Sequence, residues 1–358
     1  MDTLKEKRMQ STNIKEKSWQ SYARNIKQLA IGVTGDNYEN NDFLNEKDKV
    51  IDWIDQQSDS KQRLFMAVIL IMLSPDKQDK TSQQSPIYKF YQTQLQTLAN
   101  KYKQEKGEQK KSVKQEDNWV DWEQIMELQK KLQKETFLSN IKNVKLVKTE
   151  KIKGKIKYRQ VAKQNLNRKQ YTQLQNMLIL SLYTLIKPRR LDYADMLVIS
   201  KKNYKKLSGS DKEENNFLVI TGKIKKFFSF GKQAQKNKNR DRNGILQSTF
   251  ILDVPSKLNK VINLTQRFHP EREFKKAVIT RPLLYNTRNG QLTTDGLSKA
   301  VKAIMKEAFN KNISPTMLRT IYLTDKHKGE TSLEDKHTTA EEMGHTPATA
   351  ENNYIKKV

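Results

Sequence analysis

The chain of 358 residues contains no cysteine, which excludes disulfide bonds and any cysteine-built zinc finger. Histidine is scarce as well, with four in all, and no H-x-x-x-H pair or adjoining carboxylate set accompanies them. A histidine-built metal site is therefore not expected. Long apolar runs are missing. The longest spans residues 64–73, against the roughly 18 residues that cross a bilayer. The first ten residues, MDTLKEKRMQ, hold no signal-peptide core. These absences point to an intracellular chain with no membrane partner. Acidic residues are also in deficit, 40 against 68 Lys and Arg, for a formal charge of +28. Such an excess opposes compaction by self-repulsion, yet it draws a polyanion strongly. DNA or RNA, double-stranded DNA included, is the leading candidate for that partner, ahead of an anionic membrane, because neutralising phosphates releases counterions.

The length allows two domains with cores of their own. In the first third, Trp19, Tyr22, Ile26 and Leu29 recur at helical spacing. A second pattern (Val50, Ile51, Trp53, Ile54) leads to an apolar helix at 63–73, stopped by Ser74-Pro75, and a further helix is expected at about 87–102. We read residues 1–104 as a small helical bundle. Residues 105–164 read as a linker holding one helix, with Trp119, Trp122, Ile125, Met126 and Leu132, followed by a basic connector. That connector, 141–160, carries eight basic residues and one acid among alternating Ile, Val and Leu. It suits a solvated β-hairpin or loop, but the reading we favour is a strap crossing a DNA backbone. Residues 165–358 read as a second domain. It opens with a Leu-rich helix at 165–186, buried on most sides, and continues with strands at 196–199, 217–220, 226–230 and 249–254. Helices at 256–265, 296–309, 315–325 and 338–343 complete it. The expected fold is mainly α with a small antiparallel β-sheet.

Four late features carry chemistry. Proline ends the buried helix within Lys187-Pro188-Arg189-Arg190-Leu191-Asp192-Tyr193, and two arginines follow it. Arg319 lies in Ser314-Pro315-Thr316-Met317-Leu318-Arg319, His345 follows Gly344, and Tyr354 stands nine residues beyond His345. Guanidinium groups are planar, permanently charged and able to bond two phosphate oxygens at once. Two of them from separate elements could clamp a phosphate as charge builds upon it. A tyrosine hydroxyl can attack phosphorus, but a phenol with a reference pKa of about 10 needs help to lose its proton. The departing oxygen needs a general acid, which a lysine on a hairpin can supply.

Together these motifs resemble the tyrosine recombinase (integrase) family, whose pattern is an arginine box after a buried helix, a hairpin lysine, H-x-x-R, G-H, and a tyrosine nine residues later. The Pro-Arg-Arg-x-Asp-Tyr box is similar to the form found in integrases of virophages and related eukaryotic mobile elements. The likeness covers residues 165 to 358 and, more loosely, the N-terminal bundle. It implies Arg319 and Arg189, or alternatively Arg190, as phosphate ligands. Arg189 is preferred because Asp192 stands three residues on. It implies His345 as a donor to the phosphate and Tyr354 as the nucleophile. The general acid would lie between the strands at 226–230 and 249–254, with Lys232 ranked before Lys236, and Lys238 also there. Thr316 stands where the family has a histidine, and a threonine cannot hold a proton at neutral pH as imidazole can. Cleavage would form a 3′-phosphotyrosyl link without cofactor or metal, for integration or excision of a mobile or virus-like element. Assembly as a dimer or tetramer on DNA follows from the same resemblance. So does a location with DNA, whether host nucleus, viral replication compartment or prokaryotic cytoplasm. A type IB topoisomerase shares the site logic, and Thr316 leaves open a DNA-binding protein that has lost activity. His269, His327 and His337 read as ordinary surface or capping residues.

Overall fold

Trp19, Ile26, Leu29, Ala30 and Val33 line one helical face, and in the computed structural model that face of the helix Glu16–Thr34 is buried. Gly35 ends this helix in the left-handed region at φ 86°, returning its N–H to the Ile31 carbonyl. The apolar run becomes the helix Asp59–Leu73, which buries Phe65, Met66, Val68, Ile69, Ile71 and Met72 and so sits at the centre of its unit. Ser85 and Pro86 start the helix Pro86–Gly107, the serine accepting from the Tyr88 N–H and the proline taking the first turn. Tyr91 on that helix is buried and donates to the Leu44 carbonyl at 2.8 Å. Packing is tight at Gly32, where a Cβ would stand 2.1 Å from the Trp53 ring.

The structure describes residues 1–12, 14–141, 144–152, 155–162, 166–222, 225–231, 249–268, 280–286, 290–329 and 331–357. The chain divides into two compact units, Met1–Glu108 and Gln109–Val358. Among the described residues the first unit is helical throughout. In the second, the helix Trp122–Ile141, which the sequence assigned to a linker, packs on the helix Arg168–Thr184 and puts Ile125 into the core. Gln129 Nε2 donates across that contact to Ser181 Oγ at 3.2 Å. The basic connector is an antiparallel hairpin of β1 (Val144–Ile152) and β2 (Lys155–Ala162). The Leu-rich helix buries every residue from Met177 to Thr184, as its composition predicts.

The remaining strands are β3 (Leu197–Ser200), β4 (Asn216–Ile220), β5 (Lys226–Phe230), β6 (Phe250–Asp253) and β7 (Thr280–Pro282). They form one sheet in the order β6-β5-β4-β3-β7. The fold is thus mainly α with a small sheet, but the sheet is mixed where an antiparallel one was expected. β3 and β4 are parallel, Leu197 facing Phe217, and the other neighbours are antiparallel. The reason lies in residues 201–214, which show no apolar periodicity yet form two short helices, Lys201–Lys206 and Gly209–Glu214, capped by Ser200 and Ser208. This crossover carries the chain back so that β4 starts at the same end as β3. No helix among the described residues is long and apolar enough to cross a membrane.

Candidate active site

Three hydrogen bonds hold the turn after the buried helix. Tyr183 Oη donates to the Arg190 carbonyl, Asn216 Nδ2 donates to the Asp192 carbonyl at 3.0 Å, and Arg319 Nη1 donates to the Pro188 carbonyl at 3.3 Å. The fixed turn sends its two arginines opposite ways. Arg189 is fully buried and Arg190 is exposed. Arg189 Nε pairs with Asp192 Oδ2 at 3.1 Å, its Nη1 donates to the Glu342 carbonyl, and its guanidinium carbon lies 3.7 Å from the Phe230 ring centroid. The i+3 carboxylate therefore orients the arginine.

Arg319 is also fully buried, on the helix Pro315–Lys326, whose N-terminus is set by Ser314 accepting from the Met317 N–H. Its Nη1 donates to the Met343 carbonyl at 2.8 Å. Both buried arginines thus grip the last carbonyls of the helix Leu333–Met343, where orphan acceptors and the negative end of the helix dipole welcome a cation. Gly344 closes that helix at φ 76°. Its N–H bonds the Glu341 carbonyl at 2.9 Å, and the His345 N–H bonds the Ala340 carbonyl at 3.0 Å. This pair of bonds is a Schellman turn, which needs glycine at the left-handed position and swings His345 back against the helix end.

His345 Nδ1 lies 2.9 Å from the Ala340 carbonyl, which only accepts, so Nδ1 carries the proton. Burial and the charges of Arg319, Arg190 and Arg189 push this imidazole down to about 3. It is therefore neutral at pH 7, with a lone pair on Nε2. The sign of the consequence is fixed. Between pH 6.5 and 3 the unfolded chain binds a proton at His345 that the native protein does not, so stability falls as the pH drops through that window. The slope approaches about 1.4 kcal/mol per pH unit. Unfolding midpoints of wild type and His345→Gln at pH 7.5 and 5 should show the acid loss reduced in the variant. His327, lowered mainly by its own burial, remains in both proteins and cancels in the comparison.

Tyr354 follows the short helix Pro347–Asn353 and is 4% exposed. Its backbone is tied down by the Ala350 carbonyl at 3.0 Å and by Thr324 Oγ1, which donates to the Tyr354 carbonyl at 3.4 Å and accepts from the Lys356 N–H at 3.0 Å. The ring centroid lies 4.8 Å from the Arg319 guanidinium carbon and 5.2 Å from the His345 ring. Arg190 Nε and Nη2 both donate to the Tyr354 hydroxyl, at 3.3 and 3.2 Å. Burial raises the phenol, but the charges of Arg319 and Arg190 and the hydrogen bonds from Arg190 outweigh it, and the net shift is downward.

The structure thus brings Arg189, Arg190, Arg319, His345 and Tyr354 into one cluster. Three buried guanidinium nitrogens in it, Arg189 Nη2, Arg319 Nε and Arg319 Nη2, have no hydrogen-bond partner, and neither does the His345 Nε2 acceptor. Buried cationic donors left open are costly, and an anion would satisfy them. Thr316 is exposed on the first turn of its helix. β5 and β6 do pair as the expected hairpin, but Lys232, Lys236 and Lys238 lie outside the described residues, as does His269. His327 bonds Thr331 at 3.1 Å and His337 is exposed, as ordinary residues would be. No group of metal-ligating side chains occurs among the described residues. The contact that sequence reasoning missed is Arg190 on Tyr354. Two adjacent arginines look alike in a sequence, and only the turn separates their directions.

No protein-family profile matches the chain, and no curated protein matches it by sequence. Among solved structures, the crystal structure of XerA recombinase is similar at a TM-score of 0.34 and 10% identity, over 98% of this chain and 90% of that one.

Proposed function

We propose that this protein is a DNA strand transferase of the tyrosine-recombinase kind, with Tyr354 as its nucleophile. The observation that carries the reading is the meeting of two fully buried arginines, their spare donors unsatisfied, with a tyrosine whose hydroxyl is held by a third arginine. Buried open guanidinium donors call for a tetrahedral oxyanion, and a formal charge of +28 suits a phosphate polymer as its source. The motif order and the nine-residue gap from His345 to Tyr354 support the same reading.

In the proposed reaction Arg189 and Arg319 hold the non-bridging oxygens of the scissile phosphate. The Tyr354 phenol gives its proton to solvent, its oxygen bonds phosphorus, and the bond to the 5′-oxygen breaks. That oxygen takes up a proton and leaves as a hydroxyl, while the DNA stays on the enzyme through a 3′-phosphotyrosyl ester. An anion beside His345 favours proton uptake at Nε2, which then donates to the phosphate. Reversal with a second strand's hydroxyl reseals DNA, and integration or excision of a mobile or virus-like element is the use we assign to it.

A duplex nicked just beyond the cleavage position loses the short leaving strand and traps the covalent state. With a library of such duplexes, the wild-type protein should give an adduct stable to denaturant, formed in excess EDTA. A protein that binds the duplexes in a salt-dependent manner and never yields an adduct would be a DNA-binding protein only.

A further inference from the structure

We propose that Arg190 serves as the activator of the nucleophile, holding the Tyr354 oxygen in its guanidinium fork and favouring the anionic form, in place of the histidine that Thr316 replaces. This deepens the proposed function and rests on it for the role of Tyr354, though the pairing of the two side chains stands on geometry alone. The arginine box then divides its labour. Arg189 points inward to Asp192 and the Glu342 carbonyl, while Arg190, its neighbour, points out to the tyrosine.

At 3.3 and 3.2 Å from Arg190 Nε and Nη2, the phenol oxygen accepts two charge-assisted hydrogen bonds. A phenolate accepts such bonds far more strongly than a phenol, so the pair stabilises the ionised state and holds the oxygen's position as well. Thr316, exposed on the first turn of its helix, cannot store the proton at neutral pH. Lowering the cost of losing the proton to solvent needs no such store, and a permanently charged arginine bonded to the phenol oxygen does that.

The surroundings agree. The titratable and charged groups around the phenol are Arg190 on the turn, Arg319 on the helix Pro315–Lys326, His345 beyond Gly344, and Tyr322, which joins the same apolar cluster. Tyr322 is pushed up to about 12, mainly by burial, and so stays neutral. The carboxylate on that side, Glu342, is paired with Lys187 at 3.2 Å. The net downward shift of Tyr354 follows from the two arginines winning over burial. Arg190 is also the exposed arginine of the box, so replacing it disturbs no core contact.

The test uses the DNA-free protein and the reaction separately. With tyrosine labelled at the ring carbon bearing oxygen, the Tyr354 signal is assigned by its loss in Tyr354→Phe and titrated in wild type, Arg190→Gln and Arg190→Lys. Tyr354 should ionise at a higher pH in Arg190→Gln than in wild type, with Arg190→Lys between them. In single-turnover capture on the nicked duplex, Arg190→Gln should lose on the order of tenfold or more at pH 7 and recover most of it as the pH is raised. An unchanged titration, or an equal loss at every pH with weaker DNA binding, would overturn the proposal and make Arg190 a plain phosphate ligand. If the titration shifts but wild type forms no adduct, the proposed function fails while the pairing of Arg190 with Tyr354 stands.

Discussion

With Tyr354 replaced by phenylalanine, the protein is expected to hold DNA as before and to form no covalent link with it. The substitution removes one oxygen and keeps the ring, which packs among Leu323, Met343 and Ala350 and lies beside Arg319 and His345. Arg190 loses its acceptor, but that side chain is exposed and water replaces the bond. Folding should therefore be nearly unchanged, which a circular-dichroism melt checks. The chemical step has no second hydroxyl held in this way among the described residues of the cluster. Loss of a nucleophile typically costs on the order of 10⁴-fold or more, so capture on the nicked duplex should fall below detection. An adduct formed at a wild-type rate would assign the nucleophile elsewhere.

The second large effect concerns Arg319. Its replacement by alanine should slow strand cleavage about 10³-fold, the scale set by removing an arginine or comparable donor from a transition-state oxyanion. Stability is a poorer guide, because two effects oppose each other. The Pro188 and Met343 carbonyls lose their donor, which destabilises, while a buried cation with two unsatisfied nitrogens is removed, which stabilises. The diagnostic quantity is the response to an anion. Inorganic phosphate at tenfold its dissociation constant should stabilise wild type by about 1.4 kcal/mol, by mass action on the folded state. Arg319→Ala should lose that increment, seen as a melting temperature that no longer rises with phosphate. An equal rise in both proteins would place the anion elsewhere.

Much of this arrangement could be read before the fold was known. Asp192, three residues past Arg189, is what favours Arg189 over Arg190 in the sequence, and the two form an ion pair at 3.1 Å. Gly344 before His345 signalled a helix stop, and its positive φ is what turns the histidine inward. The spacing of Arg319, His345 and Tyr354 let one cluster be expected from three separate stretches of the chain. Other features were hidden for physical reasons. The parallel pairing of β3 and β4 depends on two short helices built from a Lys- and Ser-rich stretch without an apolar face, where capping by Ser200 and Ser208 decides the structure. The use of the Glu342 and Met343 carbonyls as arginine acceptors involves the backbone, which no side-chain pattern reports. In the sequence Arg190 reads as an alternative to Arg189 for the same task. Three bonds to the carbonyls of one turn, from Tyr183, Asn216 and Arg319, give the two arginines different ones.

Whether Tyr354 becomes the covalent link to DNA is decided by mapping the adduct. The wild-type protein captured on a nicked duplex is digested with nuclease and protease, and the modified peptide is sequenced by mass spectrometry. The account predicts a single modified peptide, with a nucleotide joined through its 3′-phosphate to Tyr354. A link through any other residue, or through a 5′-phosphate, would contradict it.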